Sequence, residues 1–292
     1  MSERTGSSAD WLPGPVLVTG ASGFVGRHVV AALRELDVQV LDPTRVELDL
    51  LVPSEAGRWL ARHRPTALVH LAWETTPGVY GDSPQNGRWL EASTELFDAF
   101  RAQGGQRALF VGSCAEYDWS AGLCEEDRTP LAYGSAYARA KNALRMRVLG
   151  RGLDTVWARL FFLIGPGEKE GRLVPSLHAA MVRGEPALLR GAELCRDYLD
   201  VRDAGRALAL LLLRGGTGAV NVGSGRARTL AEVADGVVDQ VGPSARWVSA
   251  PTAHAAPEAP LVLARIDRLR ERTGFAPRYE LTESLAAAVP HD

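Results

Sequence analysis

The sequence predicts an α/β fold: a doubly wound parallel sheet with helices on both faces. Two observations predict it. Short continuous apolar runs alternate with longer segments of helical spacing as far as Ile164, and the first run leads at once into a glycine-rich turn. With 46% hydrophobic and 23% charged residues, the 292-residue chain has the make-up of a globular protein large enough for one big domain or two modest ones.

The elements follow in order. Residues 15–19 form a buried strand between a Gly-Pro step and a glycine. Residues 23–36 are helical, carrying Phe24, Val25, Val29, Val30 and Leu33 at helical spacing, and 38–41 is a second strand. A short third strand precedes Asp49 and Leu50. Residues 54–63 form a helix with Ser54 as N-cap. Then come a strand at 67–71, a helix at 90–102, a fifth strand at 108–112, a helix at 136–149 and a strand at 155–164. Beyond Pro166 the pattern blurs. Helices are expected at 175–182, 203–213, 230–241 and 263–272, with short strands at 187–189, 198–199 and 219–222. The Pro/Ala-rich stretch 250–260 reads as a surface connector.

Several function classes are disfavoured. A net charge of −2 gives no reason to expect a nucleic acid or an anionic membrane as partner. The longest apolar candidate, 207–213, falls far short of the roughly 20 residues of a membrane helix. Residues 1–13 are polar and read as a flexible tail rather than a signal peptide. Cys114, Cys124 and Cys195 are too few and scattered for a disulfide framework or a zinc site, which fits a reducing cytoplasm and no metal.

The glycine-rich turn comprises Gly20, Ser22, Gly23, Phe24, Val25 and Gly26. Glycines here serve a tight turn, close approach of backbone to a pyrophosphate, and close helix–strand packing. Free N–H groups and the helix dipole then hold phosphates, so the turn reads as dinucleotide-binding. Asp42, closing the second strand, suits a ribose 2′-hydroxyl and so NAD. Arg45 suits a 2′-phosphate and so NADP; both cofactors stay open. Asp49, with Leu50 after it, is placed to cap an adenine edge.

Tyr137 and Lys141 lie four residues apart on one face of a helix. A phenol titrating near ~10 is a poor proton donor or acceptor at neutral pH until a cation stabilises its phenolate. Of 33 basic residues only Lys141 and Lys169 are lysine, so a chain that otherwise uses arginine keeps a compact ammonium at this site. The pair is expected to be catalytic.

These motifs, with His70, Leu71 and Ala72 and the stretches 110–117, 159–166, 196–203 and 221–225, resemble the extended class of the short-chain dehydrogenase/reductase superfamily, in order and over nearly the whole chain. The resemblance implies a seven-stranded Rossmann domain over 14–164, with return segments near 197–222. It also implies a smaller substrate-binding region from 165–196 and 223–292, and a nucleotide-sugar in the cleft between the two. Leu71, Ala72, Tyr137 and Lys141 would then reach the cofactor. Ser113, four residues before Tyr117, would hydrogen-bond the substrate oxygen. Arg196 would bind the nucleotide diphosphate, with Arg172 as a second candidate. Two positions depart from the family: Trp89 stands where an Asn usually supports the lysine through water, and Phe162 where an amide often touches substrate.

The family's 4,6-dehydratases carry an Asp-Glu couple after the catalytic Ser/Thr, where this chain has Cys114 and Ala115. Elimination would lack its acid. Glu116 is set aside because adjacent strand residues face opposite ways. Cys114 is expected to be a small buried residue beside the substrate. The expected activity is NAD(P)H-dependent reduction of the C4 ketone of an NDP-4-keto-6-deoxyhexose. The alternatives are a C4 epimerase with tightly held NAD and a non-catalytic dinucleotide-binding relative. A homodimer through the 136–149 and 90–102 helices is expected.

Overall fold

The computed structural model describes residues 13–250 and 258–289. Most of the expected tail and of the expected connector therefore lies outside the described residues. In chain order the first half contains β1 (Val16–Thr19), α1 (Gly26–Glu35), β2 (Val40–Leu41), α2 (Glu55–His63), β3 (Ala67–His70), α3 (Gln85–Ala102), β4 (Arg107–Ser113), β5 (Leu123–Cys124), α4 (Ala136–Val148), β6 (Asp154–Leu160) and β7 (Phe162–Ile164). The second half adds α5 (Leu173–Val182), β8 (Ala187–Arg190), β9 (Cys195–Asp200), α6 (Val201–Arg214), β10 (Gly218–Val222), β11 (Ala227–Thr229), α7 (Leu230–Val241), β12 (Trp247–Ala250), β13 (Leu261–Ala264), α8 (Asp267–Thr273) and α9 (Leu281–Ala288).

Among the described residues the main sheet has six strands, all parallel, in the order β10-β6-β4-β3-β1-β2. All four residues of both β1 and β3 are buried, as continuous apolar strands covered on both faces must be. One core cluster joins this sheet to α1 and α6, and a second joins its other face to α2, α3 and α4. The layers are those of a Rossmann fold. Six strands stand where the resemblance implied seven, because the expected third strand is a turn. Thr44 N and Oγ1 donate to Glu47, and Leu48 N turns back to Thr44 O, so this backbone bonds within itself rather than to the open edge of β2.

Other boundaries moved for identifiable reasons. The strand expected at 155–164 breaks at Phe161: β6 stays in the main sheet, while β7 leaves it to pair with β9. The helix expected from residue 263 begins only at Asp267. Leu261–Ala264 instead pairs with β9 and β5, since an apolar run beside open strands gains a ladder of backbone bonds. Ser54 precedes α2 in a left-handed conformation without capping through its side chain; its N–H donates to Glu95.

A second sheet, β11-β9-β13-β5 with β7 alongside β9, sits at the C-terminal ends of the main strands. A third core cluster, from α5, α7, α9 and the β8–β12 pair, completes the C-terminal region. Thr229 and Glu232 form a reciprocal capping box at the start of α7, worth roughly 1 kcal/mol.

Candidate active site

The candidate site residues gather where β1, β3 and β4 end. Gly20 leaves β1 at φ +73°, and a Cβ there would stand 2.8 Å from the Ala72 nitrogen. A Cβ on Gly26 would overlap the Gly20 carbonyl and the Ala21 Cα, and Gly23 N donates back to Gly20 O at 3.0 Å. The turn and the Leu71–Ala72 segment thus meet backbone to backbone, leaving free N–H groups at the head of α1. These residues fit a dinucleotide diphosphate. Ser22 is exposed, and Phe24 and Val25 are half-buried beside it.

Further out along the sheet edge, Asp42 is held by both oxygens on Arg34 Nη2 at 3.1 Å. Arg45 pairs with Asp49 at 3.2 Å. The Leu51 N–H, with Arg45, draws the Asp49 carboxyl below the usual carboxylate range despite some desolvation. Leu50 is buried beneath it. Both expected selectors of the ribose substituent already have a partner of opposite charge.

Ser113 ends β4, and its Oγ accepts from Ala115 N at 3.1 Å. The chain then enters a tight helical turn, Cys114–Glu116, so the strand alternation used to set Glu116 aside does not apply. Glu116 turns inward and is fully buried. It accepts from Ser113 N at 2.8 Å, from Trp157 Nε1 at 2.9 Å and from Arg159 Nε at 2.8 Å. Arg159 also donates to the Tyr117 hydroxyl, which donates to Asn221. Burial pushes the Cys114 thiol far above its ordinary range, which makes it a poor proton carrier.

Tyr137 enters the site in the first turn of α4, where Ser135 Oγ accepts from Ala138 N and the 81–82 loop accepts from Ala136 and Tyr137 N–H groups. It is 8% exposed. Burial, then Tyr80 and Glu116, raise its phenol above the ordinary value, and a Ser113 hydrogen bond pulls it back. Lys141, one turn on, is 3% exposed and points inward. Its Nζ donates to Val111 O at 2.9 Å and lies 3.9 Å from the centre of the Trp73 ring and 5.7 Å from that of Tyr137. Burial pushes the ammonium down to about 7 against the pull of Glu116.

Two neighbours, Trp73 and Tyr80, were not singled out in the sequence, and His70 entered only as part of the family resemblance. Trp73 follows Ala72 directly; its Nε1 donates to Asn86 Oδ1 at 2.9 Å, and its ring stacks on Trp89 at 6.2 Å. Tyr80 meets Tyr137 edge-on at 4.9 Å. His70 holds Thr19 Oγ1 and Ser93 Oγ at 2.7 and 2.8 Å, and burial pushes it down to about 3. The aromatic run around 73–89 was the available signal, but aromatic residues on a loop do not reveal which one meets the lysine.

Arg196 lies on β9 with its guanidinium buried. It donates to Cys195 O and Ala259 O at 2.9 Å and to Glu258 at 3.2 Å, 5.8 Å from the rings of Trp119 and Phe162. To grip a phosphate it must exchange Glu258 for the new anion. Arg172 precedes α5, exposed, 5.7 Å from the Tyr80 ring. It offsets Glu168, which burial nonetheless pushes up to about 7.

A family model described as the NAD dependent epimerase/dehydratase family matches residues 16–223. GDP-6-deoxy-D-mannose reductase of Pseudomonas aeruginosa is 30% identical, over 94% of this chain and 95% of that protein. Among solved structures, RMD from Pseudomonas aeruginosa complexed with NADPH superposes with a TM-score of 0.79 at 27% identity, over 94% of this chain and 97% of that one. A Thermus thermophilus UDP-glucose 4-epimerase complexed with NAD gives 0.81 at 25% identity, over the same shares. No helix among the described residues is long and apolar enough to cross a membrane.

Proposed function

Because the chain belongs to the NAD dependent epimerase/dehydratase family, whose members here modify nucleotide-sugars with NAD or NADP, we propose that it reduces the C4 ketone of an NDP-4-keto-6-deoxyhexose. One observation carries the choice of reaction. The phenol of Tyr137 is kept protonated at neutral pH beside Ser113, and Glu116, the carboxylate in the turn after Ser113, is committed elsewhere. Residues 114 and 115 are Cys and Ala, and the oxygens of Glu116 are committed to Ser113 N, Trp157 and Arg159. A neutral phenol suits a proton donor; oxidation of an alcohol would instead need it ionised.

The glycine turn and Ala72 would hold the cofactor diphosphate at the head of α1. When bound, the nicotinamide supplies a hydride. The hydroxyl of Ser113 orients and polarises the C4 carbonyl, and Tyr137 Oη delivers its proton to the carbonyl oxygen as the alcohol forms. Lys141 places a positive charge one helical turn from the resulting phenolate, limiting the cost of forming it in a buried site. Arg196, with Arg172 as a second candidate, would grip the nucleotide diphosphate. The scattered free cysteines Cys114, Cys124 and Cys195 fit a reducing, cytoplasmic setting. The adjacent α3 and α4, with Met146 64% exposed, support a homodimer face.

The test mixes the purified protein with NADH or NADPH and a panel of dTDP-, UDP-, GDP- and CDP-4-keto-6-deoxyhexoses and follows loss of reduced-nicotinamide absorbance. Turnover with one of them is expected. Failure with all of them overturns the reading. So does a preparation that carries bound NAD and interconverts C4 epimers with none added.

A further inference from the structure

We propose that Trp73 is a positioning residue for Lys141, its indole face seating the ammonium while Asn86 fixes the indole. The inference rests on the reading of Lys141 as the charge beside Tyr137. It goes beyond that reading in naming what holds the lysine where residue 89 brings no amide.

Three contacts build the seat. Lys141 Nζ lies over the Trp73 ring, 3.9 Å from its centre, while one N–H goes to Val111 O. Trp73 Nε1 donates to Asn86 Oδ1 at 2.9 Å. Asn86 is 3% exposed, and its amide nitrogen donates to Tyr80 O at 2.7 Å and Ser83 O at 2.9 Å, so two carbonyls decide which end of the amide faces the indole. Trp89 stacks on Trp73 at 6.2 Å, and Tyr137 meets it edge-on at 6.3 Å. Asn86 precedes Trp89 by three residues and so lies on the same face of α3.

The electrostatics give the seat a purpose. Other titratable groups facing Lys141 are Tyr137 on α4, Glu116 after β4 and His70 on β3. Glu116 is already neutralised by Arg159, His70 is held uncharged by burial, and Tyr137 is protonated. Beside the Val111 carbonyl, which accepts one N–H at 2.9 Å, the negative face of the indole therefore favours the charged lysine against the cost of burying it. Asn86 keeps that face flat to the ammonium by anchoring the ring edge.

With only two lysines, the chain allows a direct test that needs no substrate. The full-length protein is labelled with [13C]lysine, and Lys169→Arg assigns the remaining signal to Lys141. In the native protein the Lys141 ε-CH2 should show an upfield ring-current shift and titrate well below an ordinary lysine. Trp73→Phe keeps an aromatic face but not the N–H that Asn86 anchors, so it should retain part of both features. Trp73→Leu should lose the upfield shift and lower the midpoint by about one pH unit, since a buried cation–π contact is replaced by apolar contact alone, and Asn86→Leu, which frees the indole edge, should reduce the shift. If Trp73→Leu does not fold, the native protein compared with Asn86→Leu carries the test, and an undiminished upfield shift in Asn86→Leu overturns the proposal. A Lys141 signal with no ring-current shift, or equal midpoints in the Phe and Leu variants, overturns the proposal. Where turnover is found, the alkaline limb of kcat/KM should follow the NMR midpoint. If turnover is absent while the NMR pattern holds, the reductase reading fails and the seat stands.

Discussion

Arg159 Nε donates to Glu116 Oε2 at 2.8 Å with side-chain exposures of 1% and 0%. This ion pair ties the end of β6 to the turn after β4, and through Glu116 it holds the Ser113 backbone N–H. Through Tyr117 it reaches Asn221 on β10. The strand end that presents Ser113 is thus braced from behind by a buried, hydrogen-bonded charge network.

Removing one partner should therefore be costly. Glu116→Leu leaves a buried guanidinium uncompensated and is expected to destabilise by about 3–5 kcal/mol. Replacing Arg159 by Met as well should recover part of that loss. Urea unfolding of the two single variants and the double variant checks the coupling; additive losses would contradict it.

Tyr137→Phe removes a proton donor and little else, since the ring stays packed against Tyr80 and Trp73. A loss of roughly 10²–10⁴-fold in kcat is expected, with dinucleotide affinity unchanged. Steady-state kinetics beside a cofactor-binding titration separates the two. A Phe variant that retains full turnover would remove Tyr137 from the mechanism.

Gly26→Ala places a methyl group against the Gly20 carbonyl and the Ala21 Cα. Relief requires the turn to move, at a cost on the order of 1–3 kcal/mol, and it moves the N–H groups that face the diphosphate. Affinity for NADH or NADPH should fall by more than the drop in folding stability accounts for. Fluorescence titration against thermal unfolding makes the comparison.

Burial holds His70 neutral, with its titration pushed down to about 3, while an unfolded histidine titrates near ~6.5. Below that value the unfolded chain takes up a proton that the folded chain refuses, so stability is lost as pH falls from about 6.5 toward 3. The slope from this one group reaches at most about 1.4 kcal/mol per pH unit. His70→Gln should flatten it. Unfolding midpoints measured across that acidic range would show whether it does.

Much of the fold was legible because it rests on local and periodic signals. The apolar runs of β1, β3 and β4, the glycines at 20, 23 and 26, and the four-residue spacing of Tyr137 and Lys141 each declare a conformation within a few residues. The third strand failed for a local reason of its own: Thr44 and Glu47 satisfy each other there, and sequence spacing does not show which polar groups pair. The helix expected at 263–272 lost only its start, because Leu261–Ala264 takes its structure from β9 and β5, partners far away in the chain.

The sequence by itself determined the parallel α/β sheet, the phosphate-facing turn, and the placing of a phenol and an ammonium on one helical face. Tertiary structure alone decided their chemistry. It folded Glu116 inward onto Arg159, kept Tyr137 protonated by burial and laid Trp73 across Lys141. The division has a physical cause: periodicity fixes which way a side chain leaves its own element, whereas proton affinity depends on what distant segments bring against it and how much water they exclude.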